Sequence, residues 1–291
     1  MKKSIHILIG LLIGTLIISC DKVNEPYLEY LGTTYDTLSG NDTLPMQMVL
    51  IEDFTGHKCV NCPEAAVLAQ NIQLASNNRV IIMSIHAGYF AVPDQTGNYT
   101  ADFRCSESES LYTHFGISSN PTGLINRTTY LGKRVLKPDV WQNAVNTQLS
   151  QSPRFDIRIN NTYNTANRQL SSVVKVKSLT DNAGEYKLCL YIVENNIIAP
   201  QKNNIPAIGT TPDILNYVHK HILRGSLNGT WGESIYTENP VIQGDVFEKT
   251  ISYTVSENWV ADNCSIIAFV YRNDEGTEKE AIIQVAEKHL K

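Results

Sequence analysis

The sequence predicts two domains in series, an α/β domain followed by an all-β sandwich, behind an exported and anchored N-terminus. Three observations lead there. An apolar run close to residue 1 ends in a cysteine. Between residues 47 and 150, strand-like and helix-like runs alternate. From Arg154 onward, strand-like runs follow one another with no amphipathic helix between them.

The N-terminus comes first. Lys2 and Lys3 form a short positive region, and residues 5–18 are apolar apart from His6 and Thr15. That run is short for a bilayer span and fits the hydrophobic core of a signal peptide. It ends in Ile17-Ile18-Ser19-Cys20, a small residue before a cysteine, which resembles the bacterial lipobox. Residues 1–19 are therefore expected to be a lipoprotein signal peptide, with Cys20 as the lipidated first residue of the mature chain. Residues 20–46, polar and aperiodic, read as a tether. Within it, Asp36-Thr37-Leu38 and Asp42-Thr43-Leu44 match an O-glycosylation tripeptide and equally match ordinary loop sequence. Removing a segment with two lysines and no acids takes the formal charge from −5 to −7. An acidic, unpatterned surface argues against nucleic acid and leaves a membrane, reached through lipid, as the expected partner.

The α/β domain is expected over residues 47–150. Residues 48–54 read as a buried strand, and Thr55-Gly56-His57-Lys58 as a turn. Cys59 opens the next element, Pro63 suits a first helical turn, and residues 64–75 read as helix. Residues 79–86 are a second buried strand, and residues 87–105 an inserted loop. Residues 106–115 form a short helix with an acidic start. Then come a strand over 124–126, another around 130–136, and a closing helix over 138–149. After a linker at 150–153, the second domain spans 154–291. Strands are expected at 155–159, 172–176, 186–193, 246–255, 264–271 and 281–285, giving an immunoglobulin-like sandwich. Residues 217–224 fit a strand or a short helix.

Cys59-Val60-Asn61-Cys62, placed after a strand and opening a helix, is the motif that carries chemistry. The unpaired N–H groups and positive dipole end of a helix N-terminus stabilise a thiolate. Cys59 is then the attacking sulfur and Cys62 the resolving one. Positive charge on His57 and Lys58 would favour the thiolate further. A zinc or copper site using these cysteines with His57 or His86 lacks a second ligand pair at known spacing, so no metal and no cofactor are expected.

With these residues in place, the chain resembles the thioredoxin superfamily over residues 47–150, which makes the predicted first domain thioredoxin-like. The resemblance implies that Asp53, six residues before Cys59, is a buried acid handling protons for the resolving cysteine. It also implies that Pro121, in Ser119-Asn120-Pro121-Thr122, is a cis-proline lying against the disulfide. The chain departs from thioredoxin in lacking a Trp before Cys59, in its Val-Asn dipeptide and in its longer loop at 87–105. The fuller pattern, Glu-Asp-Phe-Thr-Gly-x-x-Cys-x-x-Cys-Pro with a Pro-Thr-Gly segment and a C-terminal β domain, resembles a bacterial outer-membrane lipoprotein family. That family is described as related to a twenty-eight-kilodalton outer-membrane protein. This implies an outer-membrane location facing the periplasm or the cell surface.

Two functions fit. One is thiol–disulfide exchange with a protein substrate at Cys59 and Cys62. The other is a non-enzymatic surface interaction or adhesin-type role, with a structural Cys59–Cys62 disulfide. Of the remaining cysteines, Cys105 reads as a free, partly buried thiol, with a third redox thiol as the alternative. Cys189 and Cys264 are either a cross-strand disulfide or two small core residues. His219 and His221 share one face if their segment is a strand, a spacing that can bind metal and equally reads as two exposed histidines on an edge strand, and Trp231 and Trp259 read as core or interface residues.

Overall fold

The computed structural model describes residues 45–236, 240–276 and 278–291. The expected signal peptide, Cys20, Thr37, Thr43 and nearly all of the tether lie outside the described residues.

The first half begins with β1 (Val49–Thr55), a mostly apolar strand that carries Glu52, Asp53 and Thr55 and is buried throughout. It leads through the Cys59–Cys62 loop into α1 (Cys62–Ala75), with Pro63 in the first turn and Glu64 complementing the dipole. β2 (Val80–His86) runs parallel to β1, pairing Val49 with Val80 and Thr55 with His86. α2 (Ser106–His114) is capped by Cys105, whose sulfur accepts from the Ser108 N–H. β3 (Thr122–Ile125) pairs antiparallel with β1, and α3 (Trp141–Leu149) closes this half. The strand expected around 130–136 does not form. There the chain makes a tight turn, bridging Tyr130 to Lys133 and Leu136 to Gly123.

The second half contributes β4 (Phe155–Asn164), β5 (Gln169–Ser178), β6 (Tyr186–Glu194), β7 (Ile197–Lys202), β8 (Asp213–His219), β9 (Ile222–Ser226), β10 (Glu233–Ile235), β11 (Val246–Thr254), β12 (Cys264–Arg272) and β13 (Ile282–His289). Each of the six strands expected here is present. β7, β8, β9 and β10 are additional. The ambiguous segment at 217–224 resolves into the end of β8, a turn with His221 at φ 51°, and the start of β9.

The two halves do not fold as an α/β thioredoxin-like domain followed by a separate sandwich, and that expectation is corrected. One mixed sheet runs β13-β12-β6-β9-β2-β1-β3, with β10 added on β6. β9 lies parallel to β2 and antiparallel to β6, so the outer edge of β2 is continued by strands from the second half. The described residues carry thirteen strands against α-helices of 14, 9 and 9 residues, a predominantly β molecule.

Packing explains the joining. One core lies under α1 and α3 and includes Val49, Ile51, Ile72, Val80 and Trp141. On the opposite face of β1 and β2, Leu50, Phe54, Met83 and Ile85 share a core with Tyr191, Leu223, Phe269 and Val285. The far side of β6 and β12 packs Leu188, Leu190, Ile192, Ile266 and Val270 against Ile157, Val174 and Ile251. These last belong to a three-stranded sheet, β11-β5-β4. β6 and β12 are covered on both faces, and so their sequences run apolar without alternation. Cys105, Cys189 and Cys264 are all free thiols. In the β6–β12 register Cys189 faces Phe269 and Cys264 faces Glu194, so the two sulfurs never meet.

Candidate functional site

Cys59 and Cys62 are disulfide-bonded, with Cα atoms 5.4 Å apart. α1 starts at Cys62, so Cys59 lies one turn upstream of the helix in a loop closed by hydrogen bonds from the Cys59 N–H to the Gly56 carbonyl and from the Cys62 N–H to the Cys59 carbonyl. Gly56 allows this loop to touch its neighbour: a Cβ there would sit 2.6 Å from the Phe90 carbonyl carbon. The Lys58 N–H donates to the Phe90 carbonyl at 3.0 Å, which brings the inserted loop alongside. Val60, Tyr89, Phe90 and Val92 form an exposed apolar rim on this side.

Both cysteines are 2% exposed. What covers them is β7 and the chain just beyond it. The Gln201 amide donates to the carbonyls of Gly56 (3.3 Å) and Cys59 (3.0 Å). The Lys202 N–H donates to the His57 carbonyl (2.8 Å), and the Asn204 N–H to the Val60 carbonyl (3.3 Å). Among the described residues, β7 and β8 pair only with each other in the sheet ladders. They form a strap laid across the motif. Tyr99 of the inserted loop hydrogen-bonds Asp213 of β8 and lies under the Lys202 ammonium, tying loop and strap together.

Behind the disulfide lies a cavity of about 30 Å³, lined by Asp53, Cys62, His86, Gln201, Tyr217 and His219 among others. Asp53 is 1% exposed, and its Oδ1 has no hydrogen-bond partner. Burial pushes its carboxyl up from 3.8 to about 7. Beside it is an aromatic cluster in which the Phe103 ring contacts His57, His86 and His219 at centroid distances of 5.7, 5.1 and 4.8 Å. Burial lowers all three imidazoles below their ordinary range, His219 to about 3.

The positions expected from the sequence come out unevenly. Asp53, Cys59 and Cys62 meet at one place. The Asn120–Pro121 bond is cis. The Asn120 amide donates to the carbonyls of Thr55 (2.9 Å) and Ala87 (3.3 Å), holding that loop at the ends of β1 and β2. His57 and Lys58 do not supply free positive charge: His57 is buried, and burial first and then Lys58 push its imidazole below its ordinary value, while Lys58 pairs with Asp94 at 2.7 Å. His219 and His221 are buried, at 3% and 2% exposure, rather than displayed on an edge. Among the described residues, no group of three His, Cys, Asp or Glu side chains is placed to hold a metal ion.

Gln201 and Tyr99 were not readable as site residues. Residues 195–216 hold three prolines and Gly209, and nothing local in the sequence indicates that the strap folds back over a motif some 140 positions earlier. The three free thiols are poor nucleophiles. Burial raises Cys105 to about 11, and Cys189 and Cys264 to about 12.

The family model described as outer membrane protein Omp28 matches residues 108–291. It spans α2 to β13, including Pro121, Gln201 and His219, and leaves out Asp53, Cys59 and Cys62. No curated protein matches the chain by sequence. Among solved structures, HBP35 of Porphyromonas gingivalis is similar, with a TM-score of 0.62 and 17% identity, over 84% of this chain and 76% of that one. A structural-genomics protein of Agrobacterium tumefaciens is similar at a TM-score of 0.51 and 11% identity, over 86% of this chain and 97% of that one. Both are likenesses of fold.

Proposed function

We propose, for a chain that belongs to the outer membrane protein Omp28 family, that it is a lipid-tethered envelope protein whose Cys59–Cys62 pair exchanges with thiols and disulfides of a protein substrate. The outer-membrane association comes with the family. The signal peptide at 1–19, the lipid on Cys20 and an orientation towards the periplasm or the cell surface belong to the proposal. The observation that carries the exchange reading is the placement of Cys62 on the same cavity as Asp53, a buried acid with no partner on Oδ1 whose carboxyl burial pushes up to about 7. Perturbed acids beside a redox-capable bond are what proton-coupled exchange requires.

In the reducing direction, the Cys59 thiolate attacks a substrate disulfide. A mixed disulfide forms, and one substrate thiolate leaves. The Asp53 carboxylate takes the proton from the Cys62 thiol. The Cys62 thiolate then attacks the Cys59 sulfur, restoring the intramolecular disulfide and releasing the second substrate thiolate. Two electrons pass from the protein dithiol to the substrate. The same steps run backwards for oxidation, and the poise of the pair sets the direction. Pro121 is assigned to docking of the substrate backbone, and the rim of Val60, Phe90 and Val92 to its apolar side chains. Insulin reduction tests the reading. Cys59→Ser should abolish it, and full activity in that variant would end the proposal.

A second reading has its own observation. With both cysteines 2% exposed under the strap, the disulfide is suited to a structural role in a protein that acts by surface interaction. A pair that stays oxidised in reducing buffer and shows no exchange would select this reading.

A further inference from the structure

β8 carries His219 onto the cavity that holds Asp53 and Cys62. The His219 Nε2 is buried and has no partner. A neutral imidazole offers one ring nitrogen as an acceptor, and a water reaching Nε2 can fill that place. Asp53 Oδ1 is likewise buried and unpartnered, as are both ring nitrogens of His86, whose ring centroid is 5.5 Å from that of His219.

Several buried polar atoms without partners, on one cavity, call for a shared partner. A cavity of about 30 Å³ has room for one or two waters at roughly 10–15 Å³ each, and these walls offer the two to four polar contacts a buried water needs. The other charged or titratable groups near it are Tyr217, Lys220 and His221 on its walls, His57 behind Phe103, and Arg224 near His86.

We propose that ordered water in this cavity joins the Asp53 carboxyl to His219 Nε2, and that His219 is the positioning residue that keeps the Asp53 proton mobile during exchange. The water accepts from the protonated carboxyl and donates to the imidazole. When Cys62 transfers its proton to Asp53, the acid is reset by giving that proton through the water to the departing substrate thiolate, His219 staying neutral as the water's acceptor, and no electron moves in this step. The inference rests on the exchange reading, yet the water itself does not require turnover.

Two measurements test it. A high-resolution crystal structure of the oxidised protein should show water within hydrogen-bond distance of both Asp53 Oδ1 and His219 Nε2. A cavity that is empty, or filled by a repacked side chain, overturns the proposal whatever the protein's activity. Stopped-flow oxidation of the reduced protein by a small disulfide then resolves the role. His219→Phe should slow the Cys62 resolving step by at least about tenfold, while the Cys59 attack keeps its rate. His219→Gln, which retains an acceptor, should restore most of it. In an Asp53→Asn background, His219→Phe should add nothing. An unchanged resolving step, or the same slowing with and without Asp53, refutes the assignment. A wild-type protein that holds the water but does not exchange instead refutes the exchange reading.

Discussion

Glu52 and Asp53 are adjacent on β1 and, because side chains alternate along a strand, meet opposite faces of the sheet. Glu52 receives the Arg127 guanidinium in a two-pronged salt bridge at 2.8 and 2.6 Å, with both side chains fully buried. The cation also lies about 5 Å from the Phe115 and Phe269 rings. Arg127→Met should leave Glu52 as an uncompensated buried charge and cost about 3–5 kcal/mol in urea unfolding, whereas Glu52→Leu with Arg127→Met should recover more than half. A single-variant loss under about 1 kcal/mol contradicts this. Asp53 has no such partner. Below its unfolded value of 3.8 it is protonated in both states and costs nothing. Between there and about 7 the unfolded chain ionises and the folded one does not, so stability falls as pH rises through that window. Asp53→Asn should therefore raise the stability of the oxidised protein at pH 8, by about 1–4 kcal/mol, and leave it unchanged at pH 4. The acid was legible by its spacing from Cys59. The ion pair was not, because nothing near Glu52 announces an arginine arriving 75 positions later at a left-handed φ of 52°.

The element that decides access to the disulfide is the β7–β8 strap. Its hold on the motif is polar and local: the Gln201 amide and two backbone N–H groups bond the loop at residues 56–60. Each such bond contributes about 1 kcal/mol net. Gln201→Ala should thus speed reduction of Cys59–Cys62 by a small phosphine by up to roughly tenfold, read by thiol labelling, with the fold intact. An unchanged rate would mean that the strap does not gate the bond. The helices and long strands were legible because period and capping are local signals, as with Pro63 and Glu64 opening α1. The strap was hidden by its prolines and glycine. The turn at 130–136 was misread because two short apolar stretches around Leu131-Gly132 imitate a strand, while Leu131 is 79% exposed and at φ 49°.

For the whole molecule, the sheet that crosses from β1 to β13 has two consequences. Residues 45–153 alone should not fold, because the edge of β2 and the face bearing Leu50, Phe54 and Ile85 lose their cover from β6, β9 and β12. A cooperative melt of that fragment would restore the separate α/β domain. The joining was unreadable because a strand's neighbours are not encoded in its own composition. The apolar run of β6 did signal burial on both faces. Acid should also weaken the molecule. Burial lowers His57, His86, His219 and His221, so below pH 6.5 the unfolded chain binds protons the folded one refuses, and stability falls as pH drops. Asp53 and Glu287, raised to about 7, act the other way but are fewer. Urea midpoints should therefore decline from pH 7 towards pH 4. The redox equilibrium of Cys59–Cys62 against a dithiol buffer tests the central proposal most directly. Exchange predicts a reversible potential between about −270 and −120 mV, the span of working oxidoreductases. A value below about −300 mV, with no exchange at any pH, would make the disulfide structural and contradict the account.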